Sequence, residues 1–97
     1  MVVIQRTYTP KPGKGGLAGL LKMVSKNTIE IGLPEVKVYR KFLGPHGTMV
    51  TTQEWKSIED YNNSRDIVRQ TKEITSVFEK IYPLLHNTHI TEILESA

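Results

Sequence analysis

A chain of 97 residues with a net charge of +3 and no cysteine is sized for a single domain, residues 1–97, with a modest core. It can form neither a disulfide nor a thiolate metal site, it has no apolar run long enough to span a membrane, and its short apolar start at Val2-Val3-Ile4 lacks the basic flank of a signal peptide, so a cytoplasmic protein is expected. The charge is uneven, with eight Lys/Arg against two acids in residues 1–46 and five against eight in residues 47–97. The basic residues are scattered along the sequence, which favours a solvated surface over a nucleic-acid interface.

The elements follow in the order strand, helix, hairpin, long helix, strand. Residues 2–9 alternate, with Val2, Ile4, Arg6 and Tyr8 on one face, and Pro10-Lys11-Pro12-Gly13 ends the strand. Leu17, Leu20, Leu21, Val24, Thr28 and Ile31 then recur at helical spacing until Gly32 and Pro34 stop the helix. Alternation returns on both sides of Gly44-Pro45-His46-Gly47. With those four residues as the loop, Val36 falls opposite Trp55 and Phe42 opposite Met49. Val36, Val38, Arg40 and Phe42 then share a face with Met49, Thr51, Gln53 and Trp55. That face is the more apolar and should meet the helices.

Ser57 caps a second helical region running to residue 86. Asn62-Asn63-Ser64 is its weak point, where a short helix would part from a long one. Ile67, Ile74, Val77, Phe78, Ile81 and Leu85 make its apolar stripe, and Pro83 ends or kinks it near Tyr82. A last alternation spans residues 88–95. The order is βαββαβ. It predicts an α+β, ferredoxin-like domain: an antiparallel four-stranded sheet with two helices on one face. The other face has no helix to cover it. Tyr39, Leu43 and Val50 on that side are too apolar for a solvated surface, so a homodimer through this face is expected.

Several motifs tempt a functional reading. Gly13-Lys14-Gly15-Gly16-Leu17-Ala18 fits the dinucleotide fingerprint, but prolines separate it from the strand before it and a hairpin follows, so no cofactor is expected from it. His46, His86 and His89 lack a further ligand at metal spacing, so no metal is expected. No acid–base pair or nucleophile triad stands out. The polar and aromatic residues on the helix-facing side carry more information. Arg6, Tyr8, Arg40, Gln53 and Trp55 interrupt an apolar face. They predict a ligand pocket between sheet and helices, with Trp55 at its mouth.

The run Glu54-Trp55-Lys56-Ser57-Ile58-Glu59-Asp60-Tyr61 resembles the strand-to-helix junction of the dimeric α+β barrel superfamily, which includes antibiotic-biosynthesis monooxygenase domains. The opening Arg6-Thr7-Tyr8-Thr9-Pro10-Lys11-Pro12-Gly13 resembles the start of NIPSNAP-like members. The resemblance implies a homodimeric α+β barrel with a cavity in each subunit. It also implies one of several chemistries: cofactor-independent oxidation of aromatic molecules, haem degradation or isomerisation. The haem-degrading members use an asparagine on the first strand and a tryptophan and a histidine on the second helix. Here the matched positions fall near Gln5 or Arg6 and on Ser64 and Ile74, so the haem-degrading set is missing.

The expected function is therefore a monooxygenase-like enzyme without a cofactor, acting on a small apolar or aromatic molecule. The competing expectation is a non-catalytic ligand-binding or interaction module of the same fold. An RNA-binding domain shares the βαββαβ order, but residues 48–55 lack the aromatic pattern that stacks bases.

Overall fold

Alternation in the first strand is matched by alternating burial. In β1, Val2–Tyr8, the side chains of Val2, Ile4 and Tyr8 are enclosed. The computed structural model describes residues 1–97. It continues with α1 (Leu17–Glu30), β2 (Val36–Arg40), β3 (Met49–Trp55), α2 (Ile58–Gln70), α3 (Lys72–Ile81), a 3-10 turn (Tyr82–Leu84) and β4 (Ile90–Glu95). The four strands form one sheet in the order β2-β3-β1-β4, with every neighbouring pair antiparallel. The helices pack on one face. The shortest dimension of the molecule, 19 Å, is the thickness of one sheet and one helix layer, so the other face is bare. This is the α+β ferredoxin-like arrangement that the sequence predicts. No helix is long and apolar enough to cross a membrane.

The end of α1 shows how locally the chain sets its course. Gly32 has a φ of +81°. Its N–H donates to the Ile29 carbonyl, and the Leu33 N–H donates to Thr28. These two bonds form the Schellman closure, which needs a residue without Cβ at the left-handed position. Ser25 Oγ donates to the Val36 carbonyl at 2.6 Å and fastens α1 to β2.

The hairpin is paired two residues away from the register expected of a four-residue loop. Val36 lies opposite Gln53, not Trp55, and Arg40 lies opposite Met49. Lys41 N–H closes the ladder on the Thr48 carbonyl, and Thr48 Oγ1 donates to the Pro45 carbonyl at 2.8 Å. That inner turn lengthens the loop and leaves Phe42 and Leu43 off the sheet, both exposed. A shift of two preserves every side chain's face, because the strand period is two. The helix-facing set therefore survives in all but Phe42. On the bare face, Tyr39 lies opposite Val50 while Leu43 is in the loop.

The second helical region does divide, but at Thr71. Asn62 and Asn63 stay helical, and Ser64 is buried with its hydroxyl donated to the Tyr61 carbonyl. Thr71 leaves helical geometry with φ −91° and ψ 101°. Its hydroxyl turns back to the Ile67 carbonyl at 2.6 Å. The side chain competes with the backbone for that carbonyl and breaks the ladder there. The break changes the helix's facing, so Ile67 is exposed while Ile74, Val77 and Ile81 are buried. Pro83 ends α3 in the 3-10 turn as expected.

Candidate ligand cavity

The apolar core is in two parts. Tyr8, Leu17, Leu21, Val24, Met49, Val77, Ile81 and Leu85 pack together beneath α1 and α3. Val2, Ile4, Trp55 and Tyr61 form a second cluster at the other end of the sheet. Between them the helix-facing strands place Thr51, Gln53 and Arg6, too polar to join either cluster. Over this stretch the two layers part, and a cavity of about 410 Å³ opens. Its apolar wall is Val24, Val36, Val68, Ile74, Phe78 and Tyr82. Arg6, Gln53, Thr28, Thr75, Arg65, Arg69, Glu79 and His89 supply its polar groups. An apolar hollow with a few placed polar groups is the form of a small-molecule site.

The polar groups are fixed in different ways. Gln53 Nε2 donates to the Pro34 carbonyl at 2.8 Å. Arg6 donates to the Tyr61 hydroxyl at 2.6 Å. Arg65 lies over the Tyr61 ring, its guanidinium carbon 4.2 Å from the centroid, and reaches Ser64 Oγ at 3.3 Å. Burial pulls Arg65 below its ordinary pKa, and Arg6 and Arg69 push the same way while Tyr61 opposes them. Guanidinium keeps its proton even so. Arg69 pairs with Asp66 at 3.3 Å in an exposed bridge and stands at the rim.

His89 sits in an aromatic setting. Its ring stacks on Tyr82 with centroids 5.8 Å apart and 17° between planes, and it lies 5.3 Å from Tyr8. Burial, aided by Arg6, lowers its pKa below 6.5. The imidazole is therefore neutral at neutral pH and keeps a lone pair on one ring nitrogen. Burial also pushes the Tyr8 phenol up to about 12, so Tyr8 stays protonated. Two sealed polar atoms on cavity residues, Arg65 Nε and His89 Nδ1, have no hydrogen-bond partner. Such groups cost stability when left unmatched.

Of the five residues expected to converge, Arg6 and Gln53 line this cavity. Tyr8 is enclosed in the larger core cluster and meets the site through the His89 ring. Trp55 is not at the mouth. It is buried at the end of β3, edge-on to Tyr61 at 5.8 Å, and Tyr61 stands between it and the arginines. Its free edge borders a shallow hollow with Met1 and Glu54. The two-residue change of register is the cause, since it moves Trp55 past the end of β2. Arg40, at the last pair of β2, is exposed and lines a different hollow near the start of α1. The sequence reading missed Arg65, Arg69, Phe78, Tyr82 and His89 as wall residues. No group of three or more carboxylate and imidazole side chains is placed to hold a metal ion.

No protein-family model and no curated protein matches the sequence. Solved structures do match the fold. The structure of an antibiotic biosynthesis monooxygenase aligns with a TM-score of 0.80 at 15% identity, over 100% of this chain and 99% of that one. An uncharacterized NIPSNAP domain protein from Burkholderia xenovorans aligns with a TM-score of 0.77 at 18% identity, over 100% and 95%. Protein Atu4242 from Agrobacterium tumefaciens aligns with a TM-score of 0.76 at 27% identity, over 100% and 94%. The chain has the fold of the superfamily that its junction and opening residues resemble.

Proposed function

We propose, from the fold shared with monooxygenase and NIPSNAP domains and from the chemistry of the cavity wall, that this chain forms a small cytoplasmic homodimer. Each subunit takes a small aromatic or otherwise conjugated acid, such as a phenol or an enol, into the cavity. It acts there as a monooxygenase-like enzyme that needs no cofactor. The observation that carries the reading is the His89 ring, stacked on Tyr82 and sharing one cavity wall with Arg6 and Phe78.

The residues have complementary tasks. His89 accepts the acidic proton of the bound phenol or enol, which a neutral imidazole can do near its own pKa. Arg6 and Arg65 hold the resulting anion, and their fixed donors stabilise charge that delocalises into the ring or chain. Phe78 and Tyr82 cover the planar part of the ligand and keep water away. An anion of this kind is electron-rich enough to react with dioxygen directly. A CH2 carbon in conjugation with it becomes a carbonyl: one oxygen atom forms the C=O bond, the other leaves as water with the two displaced hydrogens, and the substrate is the reductant. The bare sheet face supports the dimer, since Tyr39, Ile90 and Leu94 on it are about half exposed or more.

The test is oxygen uptake by the purified protein with a panel of hydroxylated aromatic substrates. Uptake with one product carbonyl and one water per dioxygen is expected, and it should be lost in His89→Phe. Saturable binding of the same compounds with no uptake would replace the enzyme with the non-catalytic ligand-binding module.

A further inference from the structure

A second hollow lies at the opposite end of the larger core cluster, and the proposed function does not use it. One wall is the β1–α1 connection, residues 10–18, and the other is the hairpin loop, residues 40–47. The walls meet at Gly47, where a Cβ would come within 3.1 Å of Pro10 Cγ. The space between them is about 820 Å³, within the size range of small-molecule sites.

The chemistry of this hollow is one-sided. Lys11, Lys14, Arg40, Lys41 and His46 line it, and none of its 17 lining residues is a carboxylate. The one side-chain ion pair in the chain joins Arg69 to Asp66 on α2, so no acidic side chain neutralises these cations. Residues that look scattered in sequence are thus gathered from two loops around one concavity. The first turn of α1 opens beside them with no acidic residue and no side-chain cap, adding a potential of the same sign. Phe42, on the hairpin wall, is 99% exposed, and nothing in the chain covers either face of its ring.

We propose that this hollow binds a small molecule carrying two or three linked phosphates and a planar ring, a nucleoside di- or triphosphate. The phosphates lie among Lys11, Lys14, Arg40 and Lys41, and the ring lies against Phe42. Four cations around one concavity match the charge of linked phosphates better than that of a single carboxylate. A single aromatic ring suits a single base, whereas proteins that hold single-stranded nucleic acid place several along a track. Arg40, expected in the pocket between sheet and helices, lines this hollow instead.

The test is calorimetric titration of the full chain, at fixed ionic strength, with ATP, ADP, AMP, inorganic pyrophosphate and a deoxythymidine decamer. ATP should bind saturably, one per chain, and AMP should bind at least about tenfold more weakly, as the loss of charge-assisted bonds implies. Lys14→Glu and Lys41→Glu change exposed side chains and should each weaken ATP at least about tenfold. Their thermal unfolding should stay at the parent value. Phe42→Ala should weaken ATP about fivefold or more, by loss of stacking, and leave pyrophosphate unchanged. Three results would overturn the assignment: no saturation at millimolar ATP, equal affinity for AMP and ATP, or Lys41→Glu binding like the parent. Tighter binding of the decamer than of ATP would also overturn it and make the hollow part of a nucleic-acid surface.

Discussion

Arg65 lies over the ring of Tyr61, its guanidinium carbon 4.2 Å from the centroid, and the hydroxyl of the same tyrosine accepts a hydrogen bond from Arg6. One aromatic side chain of α2 therefore holds two guanidinium groups, one by its π face and one by its oxygen. Neither arginine has a carboxylate within salt-bridge distance; the chain's one such pair is Arg69 with Asp66. Both charges remain available to an anion in the cavity. Tyr61→Phe keeps the ring and removes the acceptor. It should cost about 1.5–3 kcal/mol of stability, the worth of a hydrogen bond from a charged donor. Chemical denaturation of the two proteins measures it, and an unchanged midpoint would show that Arg6 finds another acceptor.

The histidine gives stability a pH dependence of known sign. His89 is held below 6.5 in the folded chain, chiefly by burial and then by Arg6. Below the unfolded value, the unfolded chain takes up a proton that the folded chain resists. The stability from a neutral His89 is thus fully present above 6.5 and is lost as the pH falls towards and through the folded value. The melting temperature should drop as the pH is lowered from about 7 to about 5.5, and His89→Phe should flatten that part of the curve. An identical slope in the variant would remove His89 from the account.

Two isoleucines of the second helical region should separate sharply. Ile81 is fully enclosed and Ile67 is 49% exposed. Ile81→Ala should cost about 2–5 kcal/mol, with the cavity it leaves included. Ile67→Ala should stay within about 0.5 kcal/mol of the parent. Equal losses would mean that a second subunit covers Ile67.

The proposed dimer is tested at Val50, which pairs with Tyr39 on the bare face. Val50→Glu should convert a dimer into a monomer or an aggregate in light scattering. The wild-type chain as a monomer at micromolar concentration would refute the dimer itself.

What the sequence could and could not reveal follows from period and geometry. The strands were legible because their period of two survives a register error, so Arg6 and Gln53 were placed on the correct face. Trp55 was misplaced because its position along the sheet depends on loop length, and the Thr48 hydroxyl bond that lengthens the loop has no periodic signature. In the helical region the sequence puts the break at Asn62-Asn63-Ser64 and Ile67 on one stripe with Ile74, Val77 and Ile81. The break at Thr71 gives α2 a facing of its own, on which Tyr61, Ser64, Arg65 and Val68 recur at the i, i+3, i+4, i+7 spacing of a helix face. Counting serine and arginine as inward residues there would have found the cavity wall. His89 carried no local signal, since its setting is made by Tyr8 and Tyr82 from other elements.

The break at Thr71 also bears on how a ligand gets in and out. Of the thirteen residues of α2, only Tyr61 and Ser64 are buried, and a single non-helical residue joins it to α3. The amides of α2 should exchange with deuterium sooner than those of α3, which buries Ile74, Val77 and Ile81. α2 also carries Arg65, so one of the two arginines proposed to hold an anion rides on this lightly anchored wall while the other, Arg6, is fixed on β1. Arrival would then be paced by the swing of that wall, and a bound anion, by bridging Arg65 to Arg6, would hold it shut. Residence time should lengthen far more than arrival slows.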